Sequence, residues 1–248
     1  MSQNTVYLVT GANRGIGHAL TSHLLLRPNT TVIATSRTPF PTPYPSTAAS
    51  SKFLPLLLDD ANPAIASTTL ASRLASEHGL THIDVVVANA GASSGFRDVL
   101  DLQDVEGELV FDFVANAVGP VKLFRGVWPL LKSGEGKRFV LVSSVMGSIG
   151  GLGEEMLPGL AYGMSKAAAN FFARKVGLQY KGEGLVVGVL HPGWVKTTMG
   201  QAVADEVNMK EPPMTVEESA ARIVERIDAL TPETSAKFLS YDGKELPW

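Results

Sequence analysis

The sequence predicts an α/β fold in which a parallel sheet of about seven strands is covered by helices on both faces. Three observations predict it. Short β-branched runs alternate with longer amphipathic stretches. A glycine-rich turn, Thr10-Gly11-Ala12-Asn13-Arg14-Gly15-Ile16-Gly17, joins the first strand to the first helix. Finally, 45% of the 248 residues are apolar, enough for one large core, so residues 1–248 are expected to form a single domain.

The strand candidates are 6–10, 31–35, 53–58, 83–88, 139–143, 185–190 and 237–240, each a β-branched or aromatic run bounded by turn residues. Apolar spacing places helices over 15–26, 66–78, 104–132, 163–180 and 216–229, the last opened by a Thr215/Glu218 capping box. Pro55 has no N–H to give a central ladder, so its strand is expected at a sheet edge, where the order 3-2-1-4-5-6 puts it. Pro39, Pro41, Pro43 and Pro45 forbid an ordinary helix through part of 38–51, which reads as an extended surface loop. Residues 146–160 and 198–214, rich in Gly, Met and Pro, read as mobile loops over a site.

A net charge of −3 with interspersed signs leaves no electrostatic footprint for nucleic acid or an acidic membrane. A small-molecule partner is expected instead. With no cysteine there are neither disulfides nor thiolate metal sites. His78 and His82 bracket Gly79 at a helix end without companion ligands, so no metal site is expected. The apolar runs fall short of the ~20 residues that span a bilayer, and a cytoplasmic location is the plain expectation.

The glycine turn is a phosphate-binding candidate because it follows a strand and opens a helix, whose free N–H groups and dipole favour an anion. Arg14 opposes that dipole unless an anion neutralises it. The second strand ends in Ser36 and Arg37, where an acid would hold the ribose 2′-hydroxyl of NAD. A cation there suits a 2′-phosphate, so the expected cofactor is NADP(H).

Tyr162 and Lys166 open an Ala-rich helical run as i,i+4 neighbours. A free phenol, with a pKa of about 10, is a poor acid or base at neutral pH, and an adjacent ammonium favours its ionised form. With this pair in view the chain resembles the short-chain dehydrogenase/reductase family over essentially its full length. TGANRGIG is similar to the family's TGxxxGxG loop, and Asn89-Ala90-Gly91 to its NAG motif, with Ala88 replacing the commoner first Asn. Asn116, Ser144, Tyr162 and Lys166 match the catalytic tetrad, Pro192-Gly193-Trp194-Val195-Lys196-Thr197 the PGxVxT segment, and Asp59 the acid beside the adenine. Within the family it looks most like the carbonyl-reductase and C-factor-like branch with fungal ketoreductases of the norsolorinic acid type.

The resemblance implies a Rossmann-type fold and NADPH-dependent reduction of a ketone or aldehyde. Tyr162 is the expected general acid, Ser144 the hydrogen-bond donor to the carbonyl oxygen, Lys166 the residue tuning Tyr162 and holding the nicotinamide ribose, and Asn116 the holder of a water leading to solvent. The implied cofactor contacts are Gly11, Asn13, Arg14, Gly15, Ile16, Gly17, Ser36, Arg37, Asp59, Asn89, Ala90, Gly91, Tyr162, Lys166, Pro192, Gly193, Val195 and Thr197. Phe96, Met146, Ile149, Met156, Leu157, Trp194 and Met199 lie on the segments expected to line the substrate side, pointing to an apolar or aromatic ketone.

Two other classes stand beside this reading. Gly91-Ala92-Ser93-Ser94-Gly95 satisfies a hydrolase G-x-S-x-G elbow, with Ser93 as nucleophile and His191 as base. The other is an NADP(H)-binding regulator without catalysis, against which the complete tetrad argues. Ala167, Ala168, Ala169, Phe171, Phe172 and Ala173 are apolar around more than one face of their helix, which predicts burial against the sheet and a second copy. Family members pair through this helix and the one bearing the tetrad Asn, so a homodimer or homotetramer is expected.

Overall fold

The computed structural model describes residues 4–40, 44, 47–153 and 157–248. Its strands are β1 (Thr5–Thr10), β2 (Thr30–Ser36), β3 (Lys52–Leu57), β4 (Val85–Ala88), β5 (Arg138–Val142), β6 (Val186–His191) and β7 (Lys237–Ser240). They form one parallel sheet in the order β3-β2-β1-β4-β5-β6-β7, the expected order extended by β7. Pro55 lies on edge strand β3 opposite Ala34, where its missing donor leaves the rest of the sheet intact.

The helices are α1 (Gly15–Leu25), α2 (Leu70–His78), α3 (Val105–Phe113), α4 (Gly119–Ser133), α5 (Leu160–Gln179), α6 (Thr198–Glu206) and α7 (Val216–Asp228). On one face Leu20 and Leu24 of α1 and Ile223 and Ile227 of α7 pack on Val9, Val32 and Val87. On the other, Leu74 of α2, Phe124 of α4 and Ala169 and Ala173 of α5 cover Leu8, Val86 and Phe139. Central strands therefore bury both faces, which is why β1, β2 and β4 read as apolar or β-branched runs without alternation. Thr215 accepts the Glu218 N–H at 3.1 Å and starts α7 where the capping box places it.

Four expectations are corrected. Residues 198–206 form α6 rather than a loop, because Thr197 caps it by accepting the Gly200 N–H at 3.0 Å. The α5 helix begins at Leu160, not 163, so Tyr162 sits in its first turn. The expected 104–132 helix is interrupted by a π-helical segment, Val114–Val118, that carries Asn116. The 66–78 helix starts late, after short 3₁₀ turns at Pro63–Ile65 and Ser67–Thr69.

The proline-rich loop is also more than surface. Tyr44 is buried and donates to the Ala12 carbonyl at 2.6 Å, with its ring stacked 4.6 Å from that of His18. Pro41, Pro43, Pro45 and Met156 lie outside the described residues.

Candidate active site

A cleft of about 1610 Å³ runs along the carboxyl ends of the strands, the place where open α/β sheets bind ligands. At its first wall β1 turns into α1. Gly11 adopts φ +65°, and a Cβ on Gly17 would stand 2.3 Å from the Gly11 carbonyl oxygen, so the turn closes only with glycine at both places. Arg14 is the exposed N-cap residue, and the first turn of α1 holds no acid. The helix thus presents uncapped N–H groups beside a guanidinium, a donor set suited to a pyrophosphate.

Asn13, Gly15 and Ile16 line the same wall, whereas Gly17 lies behind it as a packing residue. Asn13 Nδ2 donates to Thr38 Oγ1 at 3.3 Å, tying the turn to the end of β2. There Arg37 is exposed in the cleft, while Ser36 is buried and accepts the Thr38 N–H at 3.2 Å. Asp59 lines the cleft beyond β3 and accepts the Ala61 N–H at 3.0 Å.

Asn89 does a structural task the motif did not reveal. Its Nδ2 donates to the Thr10 carbonyl at 2.9 Å, and Thr10 Oγ1 accepts the N–H groups of Asn89 and Ala90 at 3.0 Å each. The β4 end is therefore stitched to the glycine turn, with Ala90 and Gly91 facing the cleft.

Ser144, Tyr162 and Lys166 converge in the middle of the cleft. Ser144 follows β5 and accepts the Met146 N–H at 3.2 Å. Tyr162 is 8% exposed, with the Phe96 ring edge-on at 5.4 Å and Lys166 Nζ 5.5 Å from its own ring centroid. Lys166 Nζ donates to the Val142 carbonyl at 3.1 Å. Burial pushes the Tyr162 hydroxyl up, with the Asp112 charge adding to it and a Ser144 hydrogen bond opposing. Burial lowers Lys166 to about 8, against the pull of Asp112. Desolvation outweighs the expected phenolate-favouring effect of the ammonium, so the phenol is held protonated.

Asn116 stands behind this group rather than in the cleft. Its amide accepts the Ala92 N–H at 2.9 Å and donates to the Ala92 carbonyl at 2.7 Å and Ser165 Oγ at 3.0 Å. One helical turn earlier, Asp112 is fully buried and accepts the Ser94 N–H at 2.7 Å. Sequence reasoning passed over Asp112, although an acid four residues before Asn116 within the apolar run 109–115 was the available signal.

Pro192, Gly193, Val195 and Thr197 close the cleft after β6. The Pro192 carbonyl accepts from Ser219 Oγ at 2.7 Å, and Val195 bridges to Met214. His191 is pushed down to about 4 by burial, so at neutral pH it is uncharged, and its Nδ1 accepts the Val145 N–H at 3.4 Å. That bond ties the end of β6 to the backbone next to Ser144. Ser93 Oγ donates to the Gly95 carbonyl at 3.0 Å and accepts the Gly95 N–H at 3.1 Å, the bonding of a turn serine. The hydrolase reading is not favoured.

Beyond Tyr162 the cleft turns apolar, where Phe96, Met146, Leu157, Trp194, Met199 and Val203 gather around the phenol ring. Ile149 is 73% exposed and stands apart from this wall.

A sheet of this order with a glycine cradle and a Ser, Tyr and Lys cluster at its carboxyl edge defines a dinucleotide-dependent oxidoreductase fold, and the chain belongs to the short chain dehydrogenase family, whose model matches residues 5–208. It is 34% identical to norsolorinic acid ketoreductase of Aspergillus parasiticus, over 99% of this chain and 92% of that protein. A norsolorinic acid ketoreductase of Dothistroma septosporum is 36% identical, over 100% of this chain and 94% of its own. Among solved structures, the NADPH-bound carbonyl reductase from chicken fatty liver superposes with a TM-score of 0.82 at 26% identity, covering 100% of both chains. Among the described residues no helix is long and apolar enough to cross a membrane.

Proposed function

We propose that residues 1–248 form one NADP(H)-dependent carbonyl reductase domain that reduces an apolar or aromatic ketone or aldehyde to its alcohol. The observation that carries this reading is the position of Tyr162: a buried phenol where the glycine-walled half of the cleft meets its apolar half. The NADPH-bound carbonyl reductase and the two ketoreductases among its relatives support the same chemistry.

The cofactor fits the residues present. Gly11, Asn13, Arg14, Gly15 and Ile16 would hold the pyrophosphate, with Gly17 giving the turn its room. Arg37, with Ser36 shaping the turn beneath it, would meet the 2′-phosphate, and Asp59 the adenine side. Asn89, Ala90 and Gly91 would back the ribose, and Pro192, Gly193, Val195 and Thr197 the nicotinamide. When bound, NADPH supplies the hydride.

The chain's own residues do the rest. Ser144 donates a hydrogen bond to the substrate oxygen, where negative charge develops. Tyr162 donates its hydroxyl proton to that oxygen. Lys166 would hold the ribose hydroxyls and return a proton to Tyr162, Asn116 fixes the 91–92 segment beside Lys166, and a water near Asn116 would connect Lys166 to solvent. The Phe96, Met146, Trp194 and Met199 side chains exclude bulk water and receive the substrate's apolar body.

Tyr162→Phe tests the proton donor. NADPH binding is expected to survive, while turnover of an aromatic ketone falls by about 10²-fold to 10⁴-fold. Near-normal turnover would overturn the mechanism. The same reading includes a cytoplasmic location and assembly into a homodimer or homotetramer through α3 and α5.

A further inference from the structure

Asn170 of α5 is buried, 3% exposed, and the reaction just described gives it no task. Both polar ends of its amide are spent on the segment around Ser144. Its Oδ1 accepts from Ser143 Oγ, and its Nδ2 donates to the Gly147 carbonyl at 3.1 Å. A carbonyl can only accept, so Nδ2 must face Gly147, and Oδ1 is left for the Ser143 hydroxyl, which must donate. The amide therefore has one orientation. It grips the residue before Ser144 and the end of the 3₁₀ turn Val145–Gly147 that follows it.

The helix that bears this amide also bears the proton donor. Tyr162, Lys166 and Asn170 recur at four-residue spacing on α5 and so share one face, along which the 143–147 segment lies. The approach is close: a Cβ on Gly147 would stand 2.6 Å from the Lys166 carbonyl carbon. From the other side, the Ser143 N–H bonds the Leu190 carbonyl at 2.7 Å and the Val145 N–H bonds His191 Nδ1 at 3.4 Å, which fixes the segment to β6. Within the turn, Ser144 Oγ accepts the Met146 N–H at 3.2 Å and the Ser144 carbonyl accepts the Gly147 N–H at 3.0 Å. Where the turn goes, the hydroxyl goes.

Resting on the reductase reading above, we propose that Asn170 is a positioning residue: its amide clamps Ser143 and Gly147 to α5 and so sets the reach of Ser144 Oγ to the substrate oxygen that Tyr162 protonates. A donor aimed at developing charge works when it is held in place before the reaction, and a misplacement of about 1 Å can cost about 10²-fold. Asn170 needs no contact with substrate or cofactor for this. It keeps two groups carried by different elements at one spacing.

Asn170→Ala removes both bonds, and its effect is read against Ser144→Ala. In the unmodified background, kcat for ketone reduction is expected to fall by about 10-fold to 100-fold with NADPH affinity kept. In the Ser144→Ala background the same change should alter kcat by less than about twofold, because no hydroxyl is left to misplace. A side chain that merely stabilises the core would lower both enzymes alike. Hydrogen exchange of the cofactor-free protein gives a readout without turnover: amides 145–148 should exchange about tenfold faster in Asn170→Ala, while those of β1 and β2 keep their rates. If the unmodified protein reduces no ketone, the reductase reading falls and exchange alone decides the clamp. Should Asn170→Ala not fold, Ser143→Ala opens one side of the clamp and carries both measurements. Unchanged exchange at 145–148, an unchanged kcat in the unmodified background, or an equal loss of kcat in both backgrounds would overturn the proposal.

Discussion

Residue by residue, the cleft separates groups that act by charge from groups that act by shape. Arg37 is the clearest of the first kind, since it is exposed at the end of β2 in the cleft where the fold would otherwise carry an acid. One charge-assisted bond to a 2′-phosphate stabilises a complex by about 1.5–3 kcal/mol, or about tenfold or more in affinity. Arg37→Asp should therefore narrow or reverse a preference for NADPH over NADH, measured by fluorescence titration of both cofactors. Equal affinities in the unmodified protein would sink the assignment. Residues of this kind were legible in the sequence because their chemistry is tied to fixed distances from a glycine turn or a YxxxK pair. Asp112, His191 and Tyr44 were not, because each matters through what lies across space: the Ser94 N–H on Asp112, the Val145 N–H on His191 and the Ala12 carbonyl under Tyr44. No spacing rule reports a contact between segments that far apart in sequence.

At the scale of elements, the alternation of strands and helices was readable because central parallel strands bury both faces and their crossover helices bury one. The π-helical segment and α6 escaped for different reasons. The first widens the turn within an otherwise continuous helical run that no residue type marks, and it carries Asn116 where its side chain accepts the Ala92 N–H. The second was hidden by Gly200, read as a loop residue but required inside the helix. A Cβ there would stand 2.0 Å from the Val195 carbonyl oxygen, and the Gly200 carbonyl accepts from Trp194 Nε1 at 3.0 Å. Helix α6 is thus seated on the 194–197 segment and holds Met199 and Val203 at the apolar end of the cleft. Gly200→Ala should lift it, at a cost of about 1–3 kcal/mol from overpacking. The expected kinetic signature is a raised KM for the ketone with NADPH binding kept, and an unchanged KM would show that α6 does not shape the substrate wall.

For the whole molecule, the remaining question is what covers the outer surface of α3 and α5. The two helices pack side by side and share a shallow apolar depression lined by Leu109, Val110, Phe113, Val114, Ala161 and Met164. Phe171, two turns beyond Met164 on the same side of α5, is 73% exposed. An apolar patch of this kind is the type of surface that a second copy would cover in the proposed assembly. The apolar run of α5 divides more sharply than its composition indicated: Ala169 and Ala173 are fully buried against the chain's own sheet, Phe172 packs on the same core, and Phe171 alone of the six faces outward strongly. Ala169→Glu would therefore place a charge in the core and unfold the subunit, which tests nothing about assembly. Phe171→Glu and Met164→Glu are the informative changes, because neither side chain belongs to the buried core of its own chain. Light scattering at micromolar concentration should give a dimer or tetramer for the unmodified protein and a smaller mass for either variant. Denaturation of the dissociated subunit should stay within about 0.5 kcal/mol, as expected for a surface substitution. A monomeric mass for the unmodified protein would reject the interface, since an α3–α5 surface left open in solution would then be the native state.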